Sequence, residues 1–293
     1  MRTLPFLTAA FLAIFLFLAG NPALAADTIN IVAAENFYGD LAQQIGGDRV
    51  EISSILSNPD ADPHLFETSP STARTISRAT IVIYNGAAYE PWMEKLLFAS
   101  PSRDRTIIVA AKLTGGKPGD NPHLWYDPAT FPAVAKALEA ELEKRDAAHA
   151  AFYRANLEKF TASMAEIGKD IAAIRKAHAG VAVTATEPVF GYMAAALGFK
   201  MMNEEFQLAV MNDTEPSASE IAAFQKTLTD GTAKILFYNS QVTDPATTRL
   251  LRIASENKVA IIGVTELEPS GRTIQTWFKG QLDAIRKALE ART

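Results

Sequence analysis

A long helical run in the middle of the chain limits the folds that the chain can adopt. Residues 131–177 are rich in Ala, Glu, Lys and Leu, and proline and glycine occur there only as Pro132 near the start and Gly168. A single helix over 147–178 would be roughly 45 Å long, which exceeds the needs of an ordinary crossover in one sheet. We interpret this helix as a connector between two lobes, with a break near Arg145. The alternative, a coiled coil, would need apolar heptads sustained over more turns.

Strand and helix patterns alternate on both sides of this run. Before it, strands are predicted at 29–33, 50–56, 79–84 and 105–110, and helices at 37–45, 69–78 and 91–99. After it, strands are predicted at 181–185, 200–204, 235–238 and 259–264, and helices at 189–197, 217–227, 244–256 and 274–289. Ser217 and Glu220 match a capping box, and Asp244 is the predicted N-cap of the helix at 244–256.

Strands that alternate with helices at this spacing form parallel sheets covered on both faces. The predicted fold class is therefore α/β, with two parallel-sheet lobes joined by a long connecting helix. We divide the chain into an N-terminal lobe at 26–146, a connecting helix at 147–179 and a C-terminal lobe at 180–293. Open α/β sheets bind ligands at the carboxyl ends of their strands, so this division predicts a binding cleft between the lobes.

The first 25 residues have the pattern of a secretory signal. Arg2 supplies a positive start, residues 6–18 form a largely apolar run, and Ala-Leu-Ala at 23–25 matches a small-x-small cleavage site. The apolar run is shorter than the roughly 20 residues that span a bilayer, which favours cleavage near Ala25 over a retained anchor. The chain has no cysteine, which excludes disulfides, thiolate ligands and a lipid-modified cysteine. We therefore expect a protein that is free in a periplasm.

Composition argues against several classes of partner and enzyme. The formal net charge is −5, and no cluster of Lys and Arg forms the basic face that a nucleic-acid-binding protein needs. The three tryptophans are scattered and form no stacking row. No dinucleotide-binding, P-loop, zincin or serine-hydrolase motif occurs. The mild acidity suits a small solute or a cation.

Two short motifs place a histidine directly after a proline. His64 lies in NPDADPHLFE at 58–67 and His123 in NPHLWYDP at 121–128, and the chain has four histidines in all. Proline stiffens the loop that presents each imidazole, which suits metal binding. One such pair alone is more often an ordinary loop histidine, and it is the repetition of the motif that favours metal binding.

Two glutamates in the second half of the chain follow predicted strands, as the two histidines do in the first half. Glu187 directly follows the apolar run VAVTAT, and Glu266 directly follows AIIGVT. Two imidazoles with two carboxylates suit divalent Zn, Mn or Fe. Taken alone, Glu187 is explained as well by a first-turn helix position stabilised by the helix dipole. Glu268 is a rival of Glu266 within the same loop.

Other polar residues are candidates for supporting roles. Ligating imidazoles usually donate their second N–H to a neighbour, and Asp62 and Asp127 are the predicted neighbours. Glu35, Tyr192 and Asn239 are predicted to line the cleft as outer partners. The remaining histidines, at 149 and 178, fall in the helical run and need no ligand role.

Six motifs follow one another around the long central helix, and they are NFYGDLAQQIGG, DPHLFETSPS, NPHLWYDP, TEPVFGYMAAALG, TEPSASEI and GVTELEPSG. Together they resemble the metal-binding solute receptors of bacterial ABC importers, the cluster A-I or zinc/manganese-type periplasmic binding proteins. The resemblance implies His64 and His123 as the first two metal ligands, Glu187 as the third and Glu266 as the fourth. It also implies a non-enzymatic protein whose partner is an ABC transporter permease in the inner membrane, and we expect a monomer.

Two departures from this family pattern bear on the metal. Zinc receptors often carry a long His/Asp-rich loop before the second histidine, whereas residues 114–121 are short and contain no histidine. Glu266 stands where the family usually has Asp. Two carboxylates with two imidazoles form a harder ligand set than one carboxylate with three imidazoles. Mn²⁺ or Fe²⁺ is therefore the expected cargo, and Zn²⁺ is the close alternative.

Two other functions remain open from the sequence. A secreted metallohydrolase would use His64, His123 and Glu187 and would keep an open coordination position beside a general base. A fourth carboxylate and the lack of HExxH favour a closed transport site instead. A receptor for an organic solute would have little use for histidines paired with carboxylates.

Overall fold

The computed structural model describes residues 28–291, with the exception of Ala61, Asp62, His64, Leu65, Asp213, Thr243 and Asp244. The predicted signal segment at 1–25, the ligand candidate His64, its proposed neighbour Asp62 and the predicted N-cap Asp244 therefore lie outside the described residues. Within the described part of the chain, every helix is too short or too polar to span a bilayer.

The first lobe is built on a four-stranded parallel sheet. Its elements are β1 (Ile29–Glu35), α1 (Asn36–Gly46), β2 (Val50–Leu56), α2 (Pro70–Arg78), β3 (Ile81–Tyr84), α3 (Pro91–Ala99), β4 (Thr106–Val109), α4 (Ala110–Thr114) and α5 (Thr130–Arg145). The strand order is β2-β1-β3-β4. Alternate residues of β1 enter different cores: Ile31 packs in the cluster of Phe37, and Val32 in that of Ile76. Both faces of the sheet are therefore covered, and the inner strands are apolar nearly throughout.

The predicted connector is a 29-residue helix, α6 (Ala150–His178), about 43 Å long at 1.5 Å per residue. The predicted break lies between α5 and α6, where Asp146 leaves helical geometry and a short 3₁₀ turn follows. The Asp146 carboxylate accepts hydrogen bonds from His149 and from the Tyr153 hydroxyl, both at 2.8 Å. These bonds hold the break in place and give His149 a structural partner.

The second lobe repeats the first. Its elements are β5 (Ala182–Ala185), α7 (Gly191–Ala196), β6 (Lys200–Met202), α8 (Glu204–Met211), α9 (Ala218–Thr229), β7 (Ile235–Asn239), α10 (Pro245–Glu256), β8 (Ala260–Val264) and α11 (Ile274–Glu290). The strand order is β6-β5-β7-β8, with all pairs parallel. The prediction of two parallel-sheet lobes joined by a long helix is confirmed, and so is the capping box of Ser217 and Glu220.

Two short helices are missed by the sequence prediction. α4 starts at the residue after β4, so the apolar run of the strand continues into the helix without a visible boundary. α8 has only eight residues and buries only Phe206 and Gln207, so it shows too little 3.6-residue periodicity to be recognised.

The two lobes share one core rather than meeting across a polar surface. We call its aromatic part the aromatic seam, and it comprises Phe37, Trp125, Tyr126 and Phe131 of the first lobe with Phe190, Trp277 and Phe278 of the second. Tyr126 stacks on Phe278 with ring centroids 5.5 Å apart and meets Phe190 edge-on at 5.0 Å. Aromatic pairs in these arrangements contribute beyond their buried area, so the seam fixes the lobes relative to each other.

Candidate metal centre

The carboxyl ends of three neighbouring strands bring the second-lobe residues together. β7 lies between β5 and β8 in the sheet. Glu187 follows β5, Asn239 ends β7, and Glu266 follows β8. Because the strands are parallel, all three side chains project at one edge with Asn239 in the middle.

Asn239 joins the two carboxylates by hydrogen bonds. Its Nδ2 donates to Glu266 Oε1 at 2.7 Å and to Glu187 Oε2 at 3.2 Å. All three side chains are buried, and Glu266 is fully so. Two carboxylates gathered in a buried site repel each other, and a divalent cation would relieve that repulsion.

His123 approaches the carboxylates from the first lobe. It is fully buried, and its Nε2 lies 3.6 Å from Glu266 Oε2. Its Nδ1 lies 2.6 Å from Asn121 Oδ1, while Asn121 Nδ2 donates to the Pro188 carbonyl at 2.7 Å. The second bond fixes Oδ1 as the atom that faces the ring, so Nδ1 carries the proton and Nε2 keeps its lone pair.

This lone pair is the clearest sign of a metal centre. Among the described residues, the buried His123 Nε2 has no hydrogen-bond partner. Buried polar atoms without partners are rare in native structures and require an explanation, and a bound cation would supply one. The residue that orients the ring is Asn121, so the prediction of Asp127 is wrong: one oxygen of that carboxylate caps the Ala129 N–H instead.

Tyr89 is a first-lobe residue that sequence reasoning misses. Its hydroxyl donates to Glu266 Oε2 at 2.7 Å. Burial raises the pKa of Tyr89 well above its usual value, and the Glu266 carboxylate adds to the shift, so the phenol keeps its proton and remains a donor. No motif could have identified this contact, because the partners are 177 residues apart.

Backbone hydrogen bonds distinguish Glu266 from its rival Glu268. The Gln241 amide oxygen accepts the N–H of Glu266, and Asn36 bonds both the N–H and the carbonyl of Glu268, at 3.0 and 2.7 Å. Burial raises the pKa of Glu268 to about 9, with a further contribution from Asp40 on α1. Glu266 is the carboxylate beside His123, at 3.6 Å, whereas the carboxyl group of Glu268 lies near Asp40 of α1.

A pair of buried carboxyl groups lies at the carboxyl edge of the first sheet, and we call Glu35 and Glu90 the buried pair. Glu90 accepts the backbone N–H groups of Asn85 and Gly86, the latter at 2.9 Å. Burial raises the pKa of Glu35 well above its usual range, and the charge of Glu90 raises it further. Burial also raises the pKa of Glu90, to about 7. Burial and the neighbouring Glu90 thus both favour the protonated form of Glu35.

Tyr192, also predicted to line the cleft, joins the two lobes. Its hydroxyl donates to the Asn121 carbonyl at 2.8 Å.

The described part of the chain contains no group of three or more His, Cys, Asp and Glu side chains arranged to hold a metal ion. What it supplies is one oriented imidazole and two carboxylates linked through Asn239, in a chain whose other Pro-His motif lies at 58–67.

Two α/β lobes joined by one long helix, with imidazole and carboxylate donors between them, define the class of metal-binding solute receptors. The chain belongs to the family of the zinc-uptake complex component A, periplasmic (ZnuA), whose sequence profile matches residues 31–288. The family resemblance read from the motifs is thereby confirmed.

Individual relatives agree with this assignment. The chain is 24% identical to the manganese-binding lipoprotein MntA of Bacillus subtilis, over 89% of this chain and 90% of that protein. It is 23% identical to the manganese ABC transporter substrate-binding lipoprotein PsaA of Streptococcus mitis, over 91% of each. These relatives are metal-binding transport components and not enzymes, so a metallohydrolase is not supported.

Solved structures show the same fold. The periplasmic zinc-binding protein TroA of Treponema pallidum superposes with a TM-score of 0.74 at 17% identity, covering 89% of this chain and 99% of that one. The solute-binding protein FpvC of Pseudomonas aeruginosa in complex with Mn²⁺ superposes with a TM-score of 0.73 at 18% identity, covering 90% and 99%.

Proposed function

We propose that this protein is a periplasmic receptor that captures a divalent transition metal and delivers it to an ABC permease in the inner membrane. The observation that carries the proposal is the buried Nε2 of His123, which has no hydrogen-bond partner among the described residues. This nitrogen lies 3.6 Å from Oε2 of Glu266. Neutral imidazole nitrogen and carboxylate oxygen are ordinary ligands of such metals.

The proposed ligands are His64, His123, Glu187 and Glu266. His64 enters on its sequence motif, and His123 on the 3.6 Å between its Nε2 and Glu266. Glu187 and Glu266 enter on their position after neighbouring strands of the second sheet. Four protein groups close the coordination shell, which is what a receptor that holds its cargo without reacting with it requires. In this proposal the protein acts as a monomer, free in the periplasm after cleavage near Ala25.

The proposed cargo is Mn²⁺ or Fe²⁺, with Zn²⁺ the close alternative. Two carboxylates beside two imidazoles make an oxygen-rich and anionic shell, which suits the harder ions. The general affinity order places Zn²⁺ above Mn²⁺ at most sites with nitrogen and oxygen ligands, so a tighter zinc constant in vitro does not identify the physiological cargo.

Calorimetric titration of the metal-free protein with Mn²⁺ and Zn²⁺ tests the proposal. We expect His123→Ala to lose at least tenfold in affinity for both ions, because removal of a ligand costs several kcal/mol. His178→Ala, which changes a half-buried histidine at the end of α6, is the matched control and should bind as the unmodified protein does. Equal affinities for the unmodified protein and His123→Ala would refute the proposal.

A further inference from the structure

Asn121 belongs to the first lobe, but the second lobe holds both its side chain and its backbone. Its Nδ2 donates to the Pro188 carbonyl at 2.7 Å. Its own carbonyl accepts a hydrogen bond from the Tyr192 hydroxyl at 2.8 Å. Pro188 and Tyr192 flank the start of α7, so this end of the second lobe sets where the Asn121 amide lies.

The same amide holds His123. Asn121 Oδ1 accepts the backbone N–H of His123 at 3.1 Å and lies 2.6 Å from Nδ1 of its ring. The Asn121 side chain thus bonds His123 through its oxygen and Pro188 through its nitrogen. Because the amide is a planar group, a displacement of Nδ2 also displaces Oδ1 and alters the support of the imidazole.

Gly191, the first residue of α7, leaves the room that this amide occupies. Its φ of −56° and ψ of −49° are ordinary helical values, so the backbone does not require glycine there. Alanine would favour the helix by up to about 1 kcal/mol. A Cβ at position 191 would lie 2.9 Å from Asn121 Nδ2, which is the only described atom within 4 Å of it apart from its neighbours in the chain.

A side chain at position 191 would therefore displace the Asn121 amide. Heavy atoms in contact ordinarily lie about 3.5 Å or more apart, so the amide would move by roughly half an ångström. The tip of a side chain usually gives way at little cost. This amide can do so only by lengthening its bond to Pro188 or its contacts with His123.

We infer that Gly191 is a positioning residue for the metal centre, because it keeps space for the Asn121 amide that fixes the His123 ring. This inference rests on the proposed function. It gives α7 of the second lobe control over a ligand of the first lobe. Ligating histidines depend on the group that holds their second nitrogen, and changing such a group typically costs about 10- to 100-fold in metal affinity.

The test is Gly191→Ala, with calorimetric titration by Zn²⁺ and Mn²⁺ and urea unfolding of the metal-free protein. We expect both dissociation constants to rise by about tenfold, the lower end for changes to such a partner. The midpoint of urea unfolding should not fall, because alanine favours the helix and only a side-chain tip is displaced. Gly280→Ala, at an exposed position of α11 where a Cβ would meet no described atom within 4 Å, is the matched control and should keep both constants.

A double-mutant cycle separates this role from a general disturbance of α7. Asn121→Ala should itself raise the dissociation constants, and adding Gly191→Ala should raise them no further, because the amide that it displaces is gone. Additive losses of affinity would overturn the inference. Unchanged affinity in Gly191→Ala would do the same, and so would a variant that does not fold, since the displaced group is only a side-chain tip.

Nuclear magnetic resonance of the metal-free protein provides a measurement that does not depend on metal. The ring signals of His123, assigned by their absence in His123→Ala, should shift in Gly191→Ala and stay in place in Gly280→Ala. Unchanged ring signals in Gly191→Ala overturn the positioning role and leave the receptor function standing. An unmodified protein that binds neither ion refutes the proposed function, and this inference with it.

Discussion

Metal-free protein should become less stable as the pH rises from 5 to 7, and Glu35→Gln should weaken this dependence. The folded protein favours the protonated forms of the buried pair, because burial raises the pKa of both Glu35 and Glu90. The unfolded chain exposes both groups, which then release their protons near their ordinary value, about 4.5. Between the two values the folded state binds more protons, so each rise in pH favours unfolding.

The magnitude follows from the raised pKa values. For Glu90, a rise from 4.5 to about 7 corresponds to about 3 kcal/mol, present below pH 4.5 and lost as the pH passes 7. Glu35 adds a second proton with the same sign. Glutamine at 35 binds no proton, so the free energy of unfolding of the variant should fall less steeply with pH, by up to about 1.4 kcal/mol per pH unit.

Urea unfolding of chelator-treated protein at several pH values between 5 and 7 measures this slope. Glu158→Gln, at an exposed position on α6, is the matched control and should keep the slope of the unmodified protein. A free energy of unfolding that rises with pH across this range would contradict the prediction, and so would equal slopes for Glu35→Gln and the unmodified protein.

Three further predictions concern the metal. Affinity should fall on acidification from pH 7 to 5, because imidazole binds metal only when neutral; a flat calorimetric profile would count against His123 as a ligand. Glu187→His should shift the ratio of dissociation constants toward Zn²⁺, and unaltered selectivity would remove Glu187 from the shell. Metal binding should change small-angle scattering little, since the aromatic seam joins the lobes beneath the centre, whereas a lobe rotation of tens of degrees, on the order of hinge closures, would contradict this.

Much of the fold could be predicted because its signals are local. The inner strands are apolar runs, and the helix at Ala218 begins with a capping box that is visible as Ser217 and Glu220. The short α8 could not be predicted, because its helical state depends on packing of Phe206 against Phe224 of α9. Such a contact leaves no periodic signature in eight residues.

The candidate site was predictable only as far as strand ends define it. Glu187 and Glu266 follow predicted strands, and the Pro-His motif marks His123. The partners that orient them depend on distant approaches: Asn121 contacts Pro188, 67 positions along the chain, and Tyr89 reaches Glu266 across the cleft. The choice between Glu266 and Glu268 also depended on tertiary hydrogen bonds, because two residues in one loop share the same sequence context.

Heating should not melt the lobes one after the other, although the chain passes between them only through α6. Tyr126 has its ring among second-lobe aromatics, and its hydroxyl bonds the Thr265 carbonyl at 2.9 Å. Unfolding either lobe alone would expose these rings and leave the other lobe with half a core. A molecule with two sheets should therefore behave in calorimetry as one cooperative unit, with the van't Hoff enthalpy close to the calorimetric one.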